Sequence, residues 1–264
     1  MTSLPEDLAY KLDQLRTIIA GYEKVAVAFS GGVDSSLLLK VAYDQVGDDV
    51  TAYFADSIVQ SAAEKNSAFA SAHEIAAPLV VLQFDLLSFP EFVANPKDRC
   101  YFCKKKIFSE ILREANQLGI HNLADGTNLD DLKQFRPGAK AVQELGVKTP
   151  LVEAKLTKKD IRILSRYLGL SSWDKHSASC LATRIASGQS ITLQHLNIIE
   201  RAEQHLSGKG FGGCRVRLDG LSCTLELARG DVYLFITQGH NDAFVSLMSS
   251  LGIDKISLDL KERM

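Results

Sequence analysis

Seven consecutive residues, Ser30-Gly31-Gly32-Val33-Asp34-Ser35-Ser36, combine two glycines, three hydroxyls and one carboxylate. Glycines let a backbone turn tightly and expose its amides, and a helix that follows such a turn points its positive end at whatever sits there. Phosphate is the ligand class that fits, with Ser30, Ser35 and Ser36 as hydroxyl donors. The stretch is not G-x-x-x-x-G-K-[ST], and no lysine stands where that motif reaches the β- and γ-phosphates. γ-Phosphate transfer is therefore disfavoured. Asp34 would repel phosphate unless Mg²⁺ sat between them, so Asp34 is expected to bridge to a metal.

The five cysteines are Cys100, Cys103, Cys180, Cys214 and Cys223, an odd number that points to metal or redox chemistry before a disulfide framework. Cys100 and Cys103 form a C-x-x-C in Arg99-Cys100-Tyr101-Phe102-Cys103-Lys104-Lys105-Lys106, and Cys180 lies far along the chain. Three cysteines on one [4Fe-4S] cubane would leave an iron without a protein ligand, open to a labile sulfide. Zinc with Cys214, Cys223 or His176 as fourth ligand and unrelated buried thiols are the alternatives. Cys214 and Cys223 fall on expected strands, where a thiol packs well.

Arg215 and Arg217 alternate on one expected strand, so both face one side and can jointly grip a phosphate, here assigned to the substrate. Glu203 on the preceding helix and Glu226 on the next strand are candidates to share a divalent cation. Lys104, Lys105 and Lys106 read as a solvated helix start, and no role is assigned to any histidine.

These residues need a frame to position them. Apolar runs at 24–29, 50–55, 79–84 and 122–124 read as strands, separated by helical spacing at 35–46, 61–75 and 107–118. Such alternation builds an α/β fold with a parallel sheet, whose ligands sit beyond the carboxyl ends of the strands. Both the glycine loop and Asp125-Gly126-Thr127-Asn128 fall at such ends. A further helix over 157–168 opens with Thr157 and Asp160 in capping positions and stops at Gly169. Residues 171–190 read as a loop bearing Cys180. From 192 onward the order changes to a helix (195–206), strands (214–218 and 223–227), a helix (241–251) and a last strand (255–260). The expected domains are thus 1–190, and a smaller α+β domain at 191–264.

The 264 residues are 46% hydrophobic and 23% charged, ordinary for a globular protein. A net charge of -2 and a pI near 6.3 argue against a large polynucleotide partner. The charged amino terminus and the lack of any apolar run of about 18 residues predict a cytoplasmic protein without membrane attachment.

Ser-Gly-Gly-x-Asp-Ser after a first strand resembles the signature of the PP-loop ATP pyrophosphatases, which adenylate a substrate oxygen, release pyrophosphate and let a nitrogen or sulfur nucleophile displace AMP. Asp125, Gly126 and Thr127, with Asn128, Asp130 and Asp131, look like that family's later nucleotide-site segment. With Arg99 to Phe108, Arg136 to Gly138, Trp173 to Lys175 and the C-x-x-x-R from Cys180 to Arg184, the chain is similar to the LarE family from about residue 10 to residue 260. The resemblance implies an ATP-dependent sulfur transferase acting on pyridinium-3,5-biscarboxylic acid mononucleotide in nickel-pincer nucleotide synthesis, with Mg²⁺ and a homo-oligomeric state.

It further implies a three-cysteine [4Fe-4S] type, in which a sulfide on the cluster is the donor and Cys180 matches the sacrificial cysteine of other members. Arg184 joins Arg215 and Arg217 at the substrate phosphate, and Asp231 lies just beyond the second strand of the small domain. Rival readings are a tRNA-thiolating enzyme, an ammonia-dependent synthetase as in NAD synthesis, and a nucleotide-binding or cluster-carrying protein without turnover.

Overall fold

The run VAVAF forms strand β1 (Val25–Phe29), buried along nearly its whole length, as a strand covered on both faces must be. A computed structural model of the chain describes residues 4–133, 136–175 and 179–261. The chain divides into two units: Met1–Ser57 with Ala62–Phe84 and Asp98–Ser177, and Ile58–Ser61 with Asp85–Lys97 and Ala178–Met264.

In the first unit the main elements are α1 (Glu6–Ala20), β1, α2 (Val33–Val46), β2 (Val50–Ser57), α3 (Ala62–Ile75), β3 (Leu79–Phe84), α4 (Arg99–Gln117), β4 (Asn122–Asp125), α5 (Gly138–Glu144) and α6 (Lys158–Tyr167). The four strands form one all-parallel sheet in the order β3-β2-β1-β4. Alternate residues of β1 enter different cores, because strand side chains point to opposite faces. Val25, Val27 and Phe29 join Leu12, Leu15 and Ile19 of α1 and Leu37 and Leu38 of α2. Ala26 joins Tyr53 of β2 and Phe108 and Ile111 of α4. The α/β class and parallel sheet read from the sequence are those observed. Helix α1, with Leu8, Leu12, Leu15 and Ile19 on its buried side, adds a covering layer that the sequence reading had taken only as a charged amino terminus.

The strand order turns back between β1 and β4: β2 and β3 lie on one side of β1, and β4 on the other. At such a reversal the loops leaving two neighbouring strands diverge and open a crevice at their carboxyl ends. The glycine loop leaves β1 there, and the Asp125 loop leaves β4.

Helix α6 begins as its sequence announces. Thr157 accepts from the Asp160 amide (3.2 Å) and the Asp160 carboxylate accepts from the Thr157 amide (3.1 Å), a complete capping box. Lys11 of α1 also reaches Asp160 (3.2 Å), tying the two helices together.

The second unit contains α7 (Leu193–Ser207), β5 (Arg215–Asp219), β6 (Ser222–Glu226), α8 (Asp231–Thr237), α9 (His240–Ser250) and β7 (Lys255–Leu258). Its sheet runs β5-β6-β7, the first pair antiparallel and the second parallel. Segment 179–191 is bonded into this unit: the Leu181 amide donates to Val59 O (2.9 Å), and the Ile191 amide to Val93 O (2.9 Å). Asn95, 1% exposed, adds side-chain bonds to Ala186 O (2.9 Å) and Gln189 O (3.0 Å). Among the described residues no helix is long and apolar enough to cross a membrane.

Burial alone would raise the Asp160 carboxyl, but the Thr157 amide and hydroxyl and the Lys11 ammonium hold it below its ordinary 3.8. A depressed carboxyl contributes stability that is present above the unfolded value and lost as pH falls through the folded one. Asp160→Asn is therefore expected to lower stability at neutral pH, with the difference from the parent closing below about pH 4, as read by urea denaturation across pH.

Candidate active site

The glycine loop is built around its own hydroxyls. Ser35 Oγ accepts from the Ser30 amide (3.2 Å), lies 3.1 Å from Ser30 Oγ and donates to Gly32 O (3.2 Å), so the loop closes on itself before any ligand arrives. Gly31 adopts φ +68°, and a Cβ there would stand 2.4 Å from Ala68 Cα of α3. Only glycine meets both constraints. Gly32 occupies the N-cap of α2, and no side chain caps that helix. The first amides of a 14-residue helix are therefore left for a ligand, and an anion such as the triphosphate of ATP fits them. Ser36 is wholly buried, and its hydroxyl has no hydrogen-bond partner among the described residues.

Asp34, in the first turn of α2, is held from two sides. Lys158 at the start of α6 forms an ion pair with Oδ2, and Asn128 Nδ2 donates to Oδ1 at 3.2 Å. The carboxylate that seemed to need Mg²⁺ already has a cation beside it. Asp34 suits Mg²⁺ only together with the nucleotide's own oxygens, since a magnesium site normally takes one or two carboxylates plus phosphate and water.

The Asp125 loop packs directly on the glycine loop. A Cβ on Gly126 would come within 3.0 Å of the Ser35 amide and 3.2 Å of Asp34 Cβ. Asp125, 4% exposed, accepts from the Thr127 amide (3.1 Å) and hydroxyl (2.9 Å) and pairs with Lys104 (2.8 Å). Asn128 then organises the next turn by accepting from the Asp130 amide (2.9 Å), while Asp130 accepts from the Lys158 amide (2.9 Å). Asp125, Asn128 and Asp130 thus brace the site with side chains turned onto the protein's own groups.

Lys175, within the Trp173 to Lys175 motif, donates to Gly31 O (2.9 Å) and to Ser67 Oγ of α3 (2.7 Å). Burial pushes its ammonium below the ordinary 10.5, against the opposing pull of Glu64. The cost of holding it charged is fully present at neutral pH and disappears as pH rises through the folded value toward 10.5. A charge kept at that cost, on a loop carbonyl, is an anchor for the loop.

Cys100 and Cys103 lie in the first turn of α4, not in a loop before a helix at 107. Their spacing of three brings both to one side of that turn. Cys100 is exposed, with Arg99 Nη2 donating toward its sulfur at 3.8 Å, and Cys103 is half-buried. The turn is tied to α5: Tyr101 Oη donates to Glu144 (2.8 Å), and Lys105 donates to both Tyr101 Oη (3.0 Å) and Glu144 (2.8 Å). Lys104 and Lys105 are therefore engaged, where a solvated face was expected.

Cys180 belongs to the second unit, half-buried before the short turn Leu181–Arg184. Cys214 and Cys223 are buried, and burial pushes the Cys223 thiol up to about 11. Within either unit, no three His, Cys, Asp or Glu side chains gather at one point among the described residues. His176 lies outside the described residues.

Arg215 and Arg217 do share a strand face, with Val216 and Leu218 buried on the opposite face. Arg217 lines a cavity of about 430 Å³ with Thr183, Arg184, Thr224, Lys255 and Ser257. The two glutamates expected to share a cation have separate arginines instead: Glu226 forms a fork with Arg217, and Glu203 one with Arg184 (3.0 and 3.1 Å). Arg184, expected at the substrate phosphate, is 6% exposed. Asp231 begins α8 behind Gly230.

No family model matches the sequence. The chain is 34% identical over 254 residues to the pyridinium-3,5-bisthiocarboxylic acid mononucleotide synthase of Lactiplantibacillus plantarum, covering 96% of this chain and 91% of the relative. The chain belongs to the LarE family. A similar relative is an uncharacterized protein of Synechocystis, 35% identical over 96% of this chain and 95% of its own length. The glutamine-hydrolysing GMP synthase of Ehrlichia chaffeensis is 27% identical over 73% of this chain and 41% of its length, consistent with PP-loop, ATP-dependent enzyme chemistry. Asn128 was expected in the nucleotide-site segment, whereas nothing in the sequence marks Lys158 or Asn95 as site-building residues. Lys175 had a signal, as the last residue of a motif noted without a role.

Lys175→Met is expected to slacken the loop and raise the Kd for ATP about tenfold, ~1.4 kcal/mol, measured by titration calorimetry. An unchanged Kd would remove Lys175 from the nucleotide site.

Proposed function

We propose that the chain is a cytoplasmic, homo-oligomeric, ATP-dependent sulfur transferase that converts carboxylates of pyridinium-3,5-biscarboxylic acid mononucleotide to thiocarboxylates. The observation that carries the reading is the uncapped, glycine-opened start of α2 at the sheet's reversal, in a chain similar over nearly its whole length to a bisthiocarboxylate synthase. The loop amides and the hydroxyls of Ser30 and Ser35 bind the triphosphate. Lys158 balances Asp34, and Lys175 fixes the loop through Gly31 O. Mg²⁺, when present with ATP, would be held by Asp34 and the triphosphate oxygens.

The substrate carboxylate attacks the α-phosphorus, forming a new O–P bond while the bond to the β-phosphate oxygen breaks and pyrophosphate leaves with its electron pair. Positioning and charge neutralisation supply most of the acceleration. A sulfur nucleophile then attacks the acyl carbon, a C–S bond forms, and AMP departs as its C–O bond breaks. Arg215 and Arg217 hold the substrate phosphate through their shared strand face.

Cys100, Cys103 and Cys180 have the thiolate chemistry that suits iron, and they would hold a [4Fe-4S] cluster through three ligands. When bound, such a cluster supplies a sulfide at the iron without a protein ligand. If it fails to assemble, Cys180 is the fallback donor: its thiolate displaces AMP to form a thioester, and loss of the Cα proton then breaks Cβ–Sγ, releasing the thiocarboxylate and leaving dehydroalanine.

Anaerobically prepared enzyme is expected to release pyrophosphate with the pyridinium dicarboxylate nucleotide and not with tRNA or with deamido-NAD plus ammonia. Release with tRNA alone would contradict the reading. Cys100→Ala is expected to abolish iron and acid-labile sulfide in the same preparations, and iron retained by that variant would rule out the three-cysteine site.

A further inference from the structure

The guanidinium of Arg184 is engaged at all three nitrogens inside the second unit. Nε and Nη2 form a fork with Glu203 at 3.0 and 3.1 Å. Nη1 donates to Cys180 O (3.2 Å), to Thr183 Oγ1 (3.1 Å) and to both the carbonyl and the hydroxyl of Ser179. The same Cys180 carbonyl accepts from the Thr183 amide (2.9 Å) and hydroxyl (2.7 Å). Arg217 donates to Thr183 O at 3.1 Å, so the turn is gripped at its far end as well. Glu203 is itself fixed, taking the Val216 amide of β5 at 3.0 Å.

A buried guanidinium is expensive to desolvate, and it is tolerated where a carboxylate and several acceptors satisfy it. Here every acceptor other than Glu203 belongs to residues 179–183. The group that results holds the backbone on both sides of the Cys180 side chain. One Nη2 hydrogen remains beside the bond to Glu203, which cannot by itself fork an incoming phosphate.

We propose that Arg184, with Glu203 as its counter-charge, is a positioning residue that fixes the Cys180 turn for sulfur delivery, and that it is not a ligand of the substrate phosphate. This rests on the sulfur-transferase reading above. An acyl-adenylate has two fates. Sulfur attacks the acyl carbon, forming C–S and releasing AMP, or water attacks it, regenerating the carboxylate and releasing AMP with no product. The choice depends on the nucleophile's being within about 3–3.5 Å of the carbon in the right direction. A loosened turn therefore lowers thiocarboxylate formed per pyrophosphate released.

The test uses the full-length enzyme and two readouts. The first is the alkylation rate of Cys180 by iodoacetamide relative to that of Cys100, by peptide mass spectrometry. The second is thiocarboxylate formed per pyrophosphate. Arg184→Lys keeps the charge but cannot form the fork; it is expected to raise relative Cys180 alkylation about threefold or more through local opening and to lower product per pyrophosphate about tenfold. Ser179→Ala, which removes one acceptor and leaves the ion pair, is expected to move both readouts in the same direction by less, and it decides the matter if Arg184→Lys fails to fold. Unchanged alkylation in the folded variants would overturn the proposal. So would a raised KM for the nucleotide with unchanged alkylation, which would make Arg184 a phosphate ligand. Absence of pyrophosphate release in the parent enzyme would instead contradict the sulfur-transferase reading, while the alkylation ratio would still test Arg184.

Discussion

An anion-binding loop that carries its own carboxylate must neutralise that charge, or it repels the ligand it is shaped to hold. Asp34 sits in the first turn of the helix whose amides no side chain caps, and Lys158 supplies the opposite charge from the start of another helix. Much of the first unit serves this contact. The Thr157–Asp160 capping box sets where α6 begins and so where Lys158 stands, Asp130 receives its amide, and Asn128 holds the other Asp34 oxygen. Gly126 allows the loop that carries Asn128 to pack on the glycine loop, since a Cβ there would stand 3.0 Å from the Ser35 amide nitrogen. Lysine is suited to the post because its ammonium is a compact point charge on a flexible stem, able to shift between a carboxylate and a phosphate oxygen.

The same economy governs the rest of the loop. Its hydroxyls close on one another, its tightest residue must be glycine, and Lys175 grips Gly31 O from outside. The loop is thus shaped by the protein's own bonds, so in the proposed reaction ATP need not order it, and preorganisation of that kind is the main way a protein accelerates phosphoryl chemistry. In the second unit the arginines and glutamates are arranged by a related rule. Glu203 and Glu226 each have an arginine fork, and the two forks fix the Cys180 turn and one wall of a polar cavity.

Much of this could be read from the sequence because it is local. Val25 to Phe29 followed by Gly-Gly and then helical spacing specifies strand, turn and helix within about twenty residues, and Thr157 with Asp160 specifies a helix start within four. What could not be read is long-range. Lys158 meets Asp34 across 124 positions and Lys175 meets Gly31 across 144, and nothing near either lysine marks its partner. Glu203 and Glu226 look the same in sequence whether they face a cation or an arginine. The Cys100 turn was misread as loop because its apolar spacing is interrupted by three lysines, although the stretch contains neither Gly nor Pro to break a helix.

The central claim is that a substrate carboxylate oxygen attacks the α-phosphorus at this loop. Pyridinium dicarboxylate nucleotide labelled with ¹⁸O in its carboxylates tests it directly, with products separated and weighed by mass spectrometry after a limited reaction. Attack by the carboxylate leaves one ¹⁸O in the AMP released and none in the pyrophosphate. Unlabelled AMP, or label in ADP or inorganic phosphate, would contradict it.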